Sequence, residues 1–426
     1  MQLFRHLVVS CLVLFSFIFS FQTKANEAEA LFSNYSPALV QIKCINIESG
    51  QKSSIGTGFF ISESGHIVTN YHVISNFIQS PEQYRLELLD NNEQTHIVDV
   101  VDIDVINDLA ILDAKQPWPV HFPLASEPPT KGQEIYSLGN PHDLGMIVVP
   151  GTYNGIKSKS FYKRIHFTGS INSGMSGGPT VDEFGNVVGI NVASAGNQIG
   201  FLVPVDRLFN LREQALETLD VKKEEAFFVE RITKQLTENQ SALFQDLIQS
   251  EWPLYSLGQA KVPNELSDFM PCWGDSNQDK EKELYTAAST NCALNERIYL
   301  SSDMTTGHAQ MGFSWIHSDK LNELQLATLF TQTLNRQYSR NNAGQDDVTD
   351  FYCQEALINN TLKTTSKGIS CVRAYRKYPG LYDVRFHSLL LDKNDQTLVG
   401  RYVLQGVSET TAQSFFTKFV ESISWN

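Results

Sequence analysis

Three short segments hold residues able to move protons and attack a carbonyl. They are Thr69-Asn70-Tyr71-His72-Val73, Asn107-Asp108-Leu109-Ala110 and Ser173-Gly174-Met175-Ser176-Gly177-Gly178-Pro179. Their order is His, Asp, Ser, one of the chain orders in which a serine nucleophile, a histidine base and an orienting carboxylate occur. A serine hydroxyl is a weak nucleophile and needs a base to take its proton. Imidazole serves because its pKa lies near neutrality. A buried carboxylate fixes the imidazole tautomer and stabilises the imidazolium. Glycines beside Ser176 let backbone N–H groups approach a developing oxyanion. His72, Asp108 and Ser176 are therefore the candidate catalytic residues.

Each has a plainer counterpart. A glycine-flanked serine alone can be a turn, and a lone histidine is usually structural. His66 competes with His72 but sits in the Ser64-Gly65-His66 turn. Asp102 and Asp104 compete with Asp108 but flank a strand, whereas Asp108 opens an Asp-Leu-Ala pattern. Three segments in the required order outweigh coincidence.

The elements that must position these residues are short. From about Tyr35 to Pro204 the chain alternates brief apolar runs with Gly, Asn and Pro turns, the pattern of an all-β barrel or sandwich. Two helical stretches follow, Asp206 to Leu219 and Lys222 to Gln249, the second with Phe228, Ile232 and Leu236 at four-residue spacing. Residues 251–426 read as α+β. Arg297 to Leu300 and Gln310 to Ile316 suggest a hairpin, with a helix from Asp319 to about Tyr338. Val384 to Leu391 and Thr397 to Gly406 form a second hairpin, after which Ser408 caps a helix carrying Phe415, Phe416 and Phe419 as core.

Length and composition agree with this division. A chain of 426 residues, 42% hydrophobic and 19% charged, holds two or three folded domains. Its net charge of −14, without a basic tract, speaks against nucleic-acid binding. It speaks more weakly against anionic lipid surfaces.

The first 25 residues read as an export signal. Arg5 precedes an uncharged run, Leu7 to Phe21, and small residues lead to Asn26. The run is shorter than the ~20 residues a spanning helix needs, so cleavage is favoured over an anchor. Cys11 lies too early in it for a lipoprotein site. No later stretch is apolar enough to span a membrane.

Export makes the cysteines readable. Cys272, Cys292, Cys353 and Cys371 suggest two disulfides, with three possible pairings. Sequence-local pairing, Cys272–Cys292 and Cys353–Cys371, comes first. No CxxC pair or close Cys–His spacing supports a metal site, and no cofactor or metal is expected. Cys44 lies in an apolar run as a buried strand residue.

The three segments resemble the chymotrypsin-fold serine proteases, most closely their HtrA/Deg-type branch. Leu138-Gly139-Asn140-Pro141 and Gly200-Phe201-Leu202-Val203-Pro204 also resemble that branch, and the likeness runs over about 35–210. Glutamyl endopeptidases share the outline. The resemblance implies a double β-barrel protease domain over 26–210, with 211–250 a helical connector and 251–426 an α+β domain of unassigned role. It implies an oxyanion hole from the N–H groups of Gly174 and Ser176. It puts Ser170 at the floor of the S1 pocket and Asn191, Val192, Ala193 and Ser194 in its wall.

An uncharged pocket of this kind disfavours Lys, Arg or Glu at P1 and suits small or medium apolar residues. Such residues are buried in folded proteins, so the expected partners are unfolded or damaged polypeptides, cut in the periplasm or outside the cell. His142 lies in a loop that borders the active site in relatives, which offers it a substrate-contacting role; a solvated loop position is its plainer reading. Met175 stands where digestive relatives carry the aspartate that pairs with a freshly cut N-terminus, so activation by N-terminal insertion is not expected. No PDZ-type carboxylate-binding loop follows, and the oligomeric state stays open. The contrasting class is a catalytically silent protease-fold scaffold whose C-terminal domain binds a partner protein.

Overall fold

A computed structural model describes residues 23–194, 199–218, 221, 223–277, 283–334 and 343–425. The core of the expected export signal, Cys11 included, lies outside the described residues. The chain divides into two compact units. One is Met1–Lys157 with Lys163–Lys223; the other is Ser158–Tyr162 with Glu224–Asn426.

The first unit opens with helix α1 (Thr23–Tyr35). Its strands β1 (Leu39–Asn46), β2 (Lys52–Phe60), β3 (His66–Thr69), β4 (Tyr84–Leu89), β5 (Thr95–Ile97), β6 (Asp99–Asp104) and β7 (Leu109–Asp113) form one antiparallel sheet, ordered β5-β4-β1-β2-β3-β7-β6. The edge strands β5 and β6 are joined through Val98 alone, so the sheet must curl until its edges approach. Helix α2 (Tyr71–Gln79) leaves directly from β3. Its apolar face, Val73, Ile74 and Ile78, is buried against β1, β2 and β4.

Strands β8 (Glu134–Gly139), β9 (Ile147–Ile156), β10 (Ile165–Thr168), β11 (Pro179–Val181), β12 (Val187–Ser194) and β13 (Gly200–Pro204) close into a barrel. Its interior holds Ile135, Phe167, Ile171, Met175, Val188 and Leu202. The expected double β-barrel is thus a half-barrel followed by a closed barrel. Helix α3 (Val205–Glu217) packs on β6, β7 and β12.

Helix α4 (Glu225–Gln249) belongs to the second unit, so the helices of 211–250 fall on either side of the division. This unit contains β14 (Leu254–Leu257), β15 (Ala260–Pro263), β16 (Cys272–Ser276), β17 (Thr286–Ala293), β18 (Ile298–Tyr299), β19 (Thr305–Thr306), β20 (Ala309–His317), helix α5 (Glu323–Leu334), β21 (Tyr352–Asn359), β22 (Thr365–Ala374), β23 (Tyr382–Leu390), β24 (Gln396–Val407), helix α6 (Glu409–Glu421) and β25 (Ser424–Trp425). Seven strands make an antiparallel sheet, β16-β17-β20-β24-β23-β22-β21.

Phe313, Phe386 and Tyr402 project from one face of that sheet onto Phe415 and Phe419 of α6, with ring centroids 5.1–5.9 Å apart. Phe416 meets the edge of Phe386. Ser408 caps α6 by accepting from the Thr411 N–H. The β23–β24 hairpin is where the sequence placed it. The earlier hairpin is not. β18 pairs with β19, and β20 lies between β17 and β24 with none of its residues exposed, as befits a central strand.

Cys272–Cys292 and Cys353–Cys371 are disulfides, each joining directly opposed residues of an edge strand and its neighbour. Cys44 is a buried free thiol, which burial pushes up to about 11 despite hydrogen bonds from Phe77 and Ser54. Among the described residues no helix is long and apolar enough to cross a membrane.

Candidate active site

The half-barrel supplies an imidazole and a carboxylate. β3 ends at Thr69, Asn70 turns the chain, and α2 starts with His72 in its first turn. Asp108 sits in the β6–β7 turn with φ of 61°, a left-handed conformation in which short Asp side chains bond locally. Its Oδ1 accepts from the His72 backbone N–H at 2.8 Å, and its Oδ2 meets His72 Nδ1 at 2.7 Å. The Asn70 Nδ2 donates to the Asp108 carbonyl at 2.7 Å.

One carboxylate thus fills an orphan N–H at a helix N-terminus, where negative charge is favourable, and orients the ring. A carboxylate only accepts, so Nδ1 carries the proton and Nε2 is left as the acceptor. Burial works against the charged imidazole, but the charge and hydrogen bond of Asp108 outweigh it and hold the His72 pKa above its usual value.

The closed barrel supplies the loop between β10 and β11. Its turns are fixed by main-chain bonds: Met175 N–H to Asn172 O, Gly178 N–H to Met175 O, and Gly177 N–H to Asn191 O, all 2.9–3.0 Å. The loop is tied to the half-barrel through β2. The Thr57 N–H donates to Ser176 O at 2.8 Å, and the Thr57 hydroxyl donates to Gly174 O at 2.7 Å.

Two glycines show how close these elements come. A Cβ on Gly56 would lie 2.5 Å from Val73 and 3.0 Å from Ser176 O. One on Gly177, where φ is +84°, would lie 2.3 Å from the Thr69 hydroxyl and 2.8 Å from Asn70 N. The chain around Ser176 therefore packs on the segment that carries His72. Ser176 itself is half-buried. Among the described residues the N–H groups of Gly174 and Ser176 have no acceptor, although both neighbours of Ser176 have one. A pair of undirected main-chain donors flanking a hydroxyl can hold an oxyanion.

The competing residues are engaged elsewhere. Asp104 accepts from the N–H groups of Ile106 and Asn107. Asp102 is fully buried in β6. His66 meets Ser64 at 3.3 Å. Met175 is fully buried in the barrel core.

Asn191 corrects the sequence reading. Its side chain is fully buried and faces inward. Its Oδ1 accepts from Ser137 and Thr180 at 2.8 and 2.7 Å, and its Nδ2 donates to the carbonyls of Leu138 and Met175 at 3.0 and 3.2 Å. That amide is saturated and props the loop of Ser176 instead of lining a pocket. Ser170 is exposed, Val192 is half-buried, and Ala193 follows a bulge in β12. Beside them Ile171 fills the space a side chain at Gly200 would take, 2.7 Å from that Cβ position. The sequence reading gave Asn140 and Thr57 no role of their own; the hydroxyl of Thr57 receives the Asn140 N–H at 3.0 Å. Among the described residues no cluster of His, Cys, Asp or Glu could hold a metal ion.

A half-barrel and a barrel that bring His, Asp and Ser segments to their junction define the chymotrypsin-like class. Residues 56–190 match the family described as the trypsin-like peptidase domain. The homologues of this domain are HtrA/Deg-type serine proteases. Protease Do-like 5, chloroplastic, of Arabidopsis thaliana is 28% identical over 41% of this chain and 65% of its own length. Serine protease HTRA1 of Xenopus laevis is 30% identical over 43% and 42%. The probable periplasmic serine endoprotease DegP-like of Buchnera aphidicola subsp. Baizongia pistaciae is 30% identical over 41% and 39%. The chain thus spans less than two thirds of the length of these relatives. The crystal structure of a serine endoprotease from Yersinia pestis superposes with a TM-score of 0.39 and 26% identity, covering 46% of this chain and 67% of that one.

Proposed function

We propose that the first unit is a serine endopeptidase that hydrolyses peptide bonds through an acyl-enzyme on Ser176. His72 Nε2 takes the hydroxyl proton and returns it to the leaving amine. Asp108 holds the ring in the required tautomer, and the N–H groups of Gly174 and Ser176 receive the tetrahedral oxygen. The observation that carries this reading is the Asp108–His72 pair at 2.7 Å together with the two acceptor-free N–H groups on the loop of Ser176.

An S1 pocket with Ser170 at its floor and Val192 along its wall suits small or medium apolar P1 residues. Unfolded or damaged polypeptides are the matching substrates. Export after the leader, into a periplasmic or extracellular space, is supported by the two disulfides and by the name of the Buchnera relative. The unit from Glu224 onward is a separate domain whose role this reading leaves open.

A fluorophosphonate probe tests the chemistry. It should label the wild type and not Ser176→Ala, and an unlabelled wild type would favour a silent scaffold. A peptide library read by mass spectrometry tests the pocket. Cleavage should follow Val, Ala or Leu, and a dominant preference for Lys, Arg or Glu would overturn the pocket assignment.

A further inference from the structure

The loop between β8 and β9 contains a strained pair beside the loop of Ser176. His142 and Asp143 both have positive φ, 55° and 61°, and neither is glycine. Two successive left-handed non-glycine residues persist only where their surroundings hold them. The holding groups are specific. Asp143 Oδ1 accepts from Gln41 Nε2 at 2.6 Å, and Asp143 Oδ2 pairs with Lys52 Nζ at 2.6 Å. Gln41 and Lys52 stand on β1 and β2 of the half-barrel, while the loop belongs to the closed barrel. Gln41 is 2% exposed, and its Oε1 has no donor among the described residues. A buried amide with half its capacity unmet is a poor stability device, and its one bond goes to Asp143.

The strained loop in turn grips the loop of Ser176. The His142 N–H donates to Ser173 O at 2.8 Å. Gly174 lies flush against this loop: a Cβ there would be 2.3 Å from Asn140 O and 3.0 Å from His142 N. In a trans peptide the carbonyl and the following N–H point in opposite directions. Drawing the Ser173 carbonyl toward His142 therefore turns the Gly174 N–H the other way, where it has no acceptor among the described residues. Were the loop to relax, the Ser173 carbonyl would lose its donor, and the peptide would be free to rotate and present oxygen where a donor is needed.

We propose that Asp143 is a positioning residue: bridged to Gln41 and Lys52, it holds His142 in the left-handed conformation whose N–H fixes the Ser173–Gly174 peptide in the oxyanion-binding orientation. This rests on the serine-endopeptidase reading above. The clamp acts on transition-state binding, since its effect reaches the substrate only through the Gly174 N–H. Loss of one oxyanion donor lowers turnover by on the order of 10²–10³-fold, which bounds the effect.

The test measures kcat and KM on a peptide with valine at P1, and inhibition by the matching peptide boronic acid, whose adduct on Ser176 places an oxygen in the oxyanion position. The full-length wild type is compared with Asp143→Ala, Asp143→Asn, Lys52→Met and Ser176→Ala, with the melting temperature recorded for each. The clamp requires Asp143→Ala to lower kcat by roughly 10- to 100-fold, with KM within about twofold. Boronate affinity should fall in parallel with kcat. Asp143→Asn keeps one carbonyl acceptor and should fall between Asp143→Ala and the wild type. Lys52→Met should cost less than Asp143→Ala and nothing further when added to it.

Turnover that vanishes in Ser176→Ala but stays within twofold of wild type in Asp143→Ala overturns the clamp and leaves the endopeptidase reading standing. A rise in KM at constant kcat also overturns it. Wild-type protein without Ser176-dependent turnover overturns both. If Asp143→Ala does not fold, Asp143→Asn and Lys52→Met carry the same comparison.

Discussion

Both units bury polar side chains, but they finish the networks differently. In the first, Thr57, Thr69, Asn70 and Asn191 are at 0% exposure, and they gather where half-barrel and barrel meet. Their bonds tie β2, β3 and β12 to one another and to the turns of Asp108 and Ser176, and among the described residues the N–H groups of Gly174 and Ser176, with Asn70 Oδ1, are left without partners. In the second, Asp383 accepts from Arg373 Nε at 2.9 Å and from the Tyr375 hydroxyl at 2.6 Å, and Tyr375 meets Thr306 at 2.8 Å. Burial, then the charge and bond of Asp383, push the Tyr375 hydroxyl well above its usual pKa. That network ties β22 and β23 to β19, a strand outside the seven-stranded sheet. A network that joins strands holds a fold together, while one with donors left over beside a hydroxyl leaves a place for a ligand. Damage to the first unit should therefore appear as lost rate, and damage to the second as lost stability.

The largest effect belongs to the nucleophile. Ser176→Ala should reduce peptide turnover by on the order of 10⁶-fold while leaving the melting temperature close to wild type. Near-normal hydrolysis by this variant would remove the basis of the comparison.

Asp108→Asn comes next, with a loss in kcat on the order of 10⁴-fold, because the amide favours the wrong imidazole tautomer. The proposed mechanism needs neutral His72, whose pKa Asp108 raises. The acid limb of kcat/KM should therefore lie above the pH of an ordinary histidine in wild type and move to lower pH in Asp108→Asn. The sign for stability is opposite. The ion pair contributes fully below the unfolded-state pKa of histidine, and that contribution disappears as pH rises through the raised folded value. A pH–rate profile and thermal melts across the same range measure both.

Asp383→Ala is the counterpart in the second unit. It leaves Arg373, 7% exposed, without its partner. Removing one member of a buried pair costs roughly 3–5 kcal/mol. Calorimetry should show the second unit melting earlier, with kcat on a short peptide unchanged if that unit takes no part in the chemistry.

The smallest effect is reductive. Each disulfide closes a loop of about twenty residues, so reduction should cost about 2–4 kcal/mol per bridge. The melting of the second unit should respond to reductant and that of the first should not. Thiol counting on denatured, unreduced protein should find Cys44, joined by Cys11 where the leader is retained. Four further thiols would contradict the crosslinks.

The pairing of Asp108 with His72 was legible because a base and its orienting carboxylate are restricted to a few residue types in fixed orders. The disulfide pairing was legible because hairpin neighbours are close in sequence. Asn191 was misread because the face a strand residue presents depends on register, and β12 carries a bulge just beyond it. The bonds of Asp143 to Gln41 and Lys52 span 102 and 91 residues, so no local pattern announces them. β20 was given to the wrong hairpin because its partners β17 and β24 compete on equal terms with any nearer segment.

The crosslinks at the two margins of the large sheet carry a consequence for lifetime. On the proposed endopeptidase reading the protein shares its compartment with copies of itself, and an outer strand is where a folded chain first comes loose. Each bridge pins such a strand to the one beside it at a directly opposed pair. About 3 kcal/mol at that point changes the frayed population by on the order of 10²-fold, and cleavage follows that population when opening is fast. The bridges therefore make resistance to self-digestion depend on the redox state of the surroundings: durable where thiols are oxidised, and short-lived where they are not.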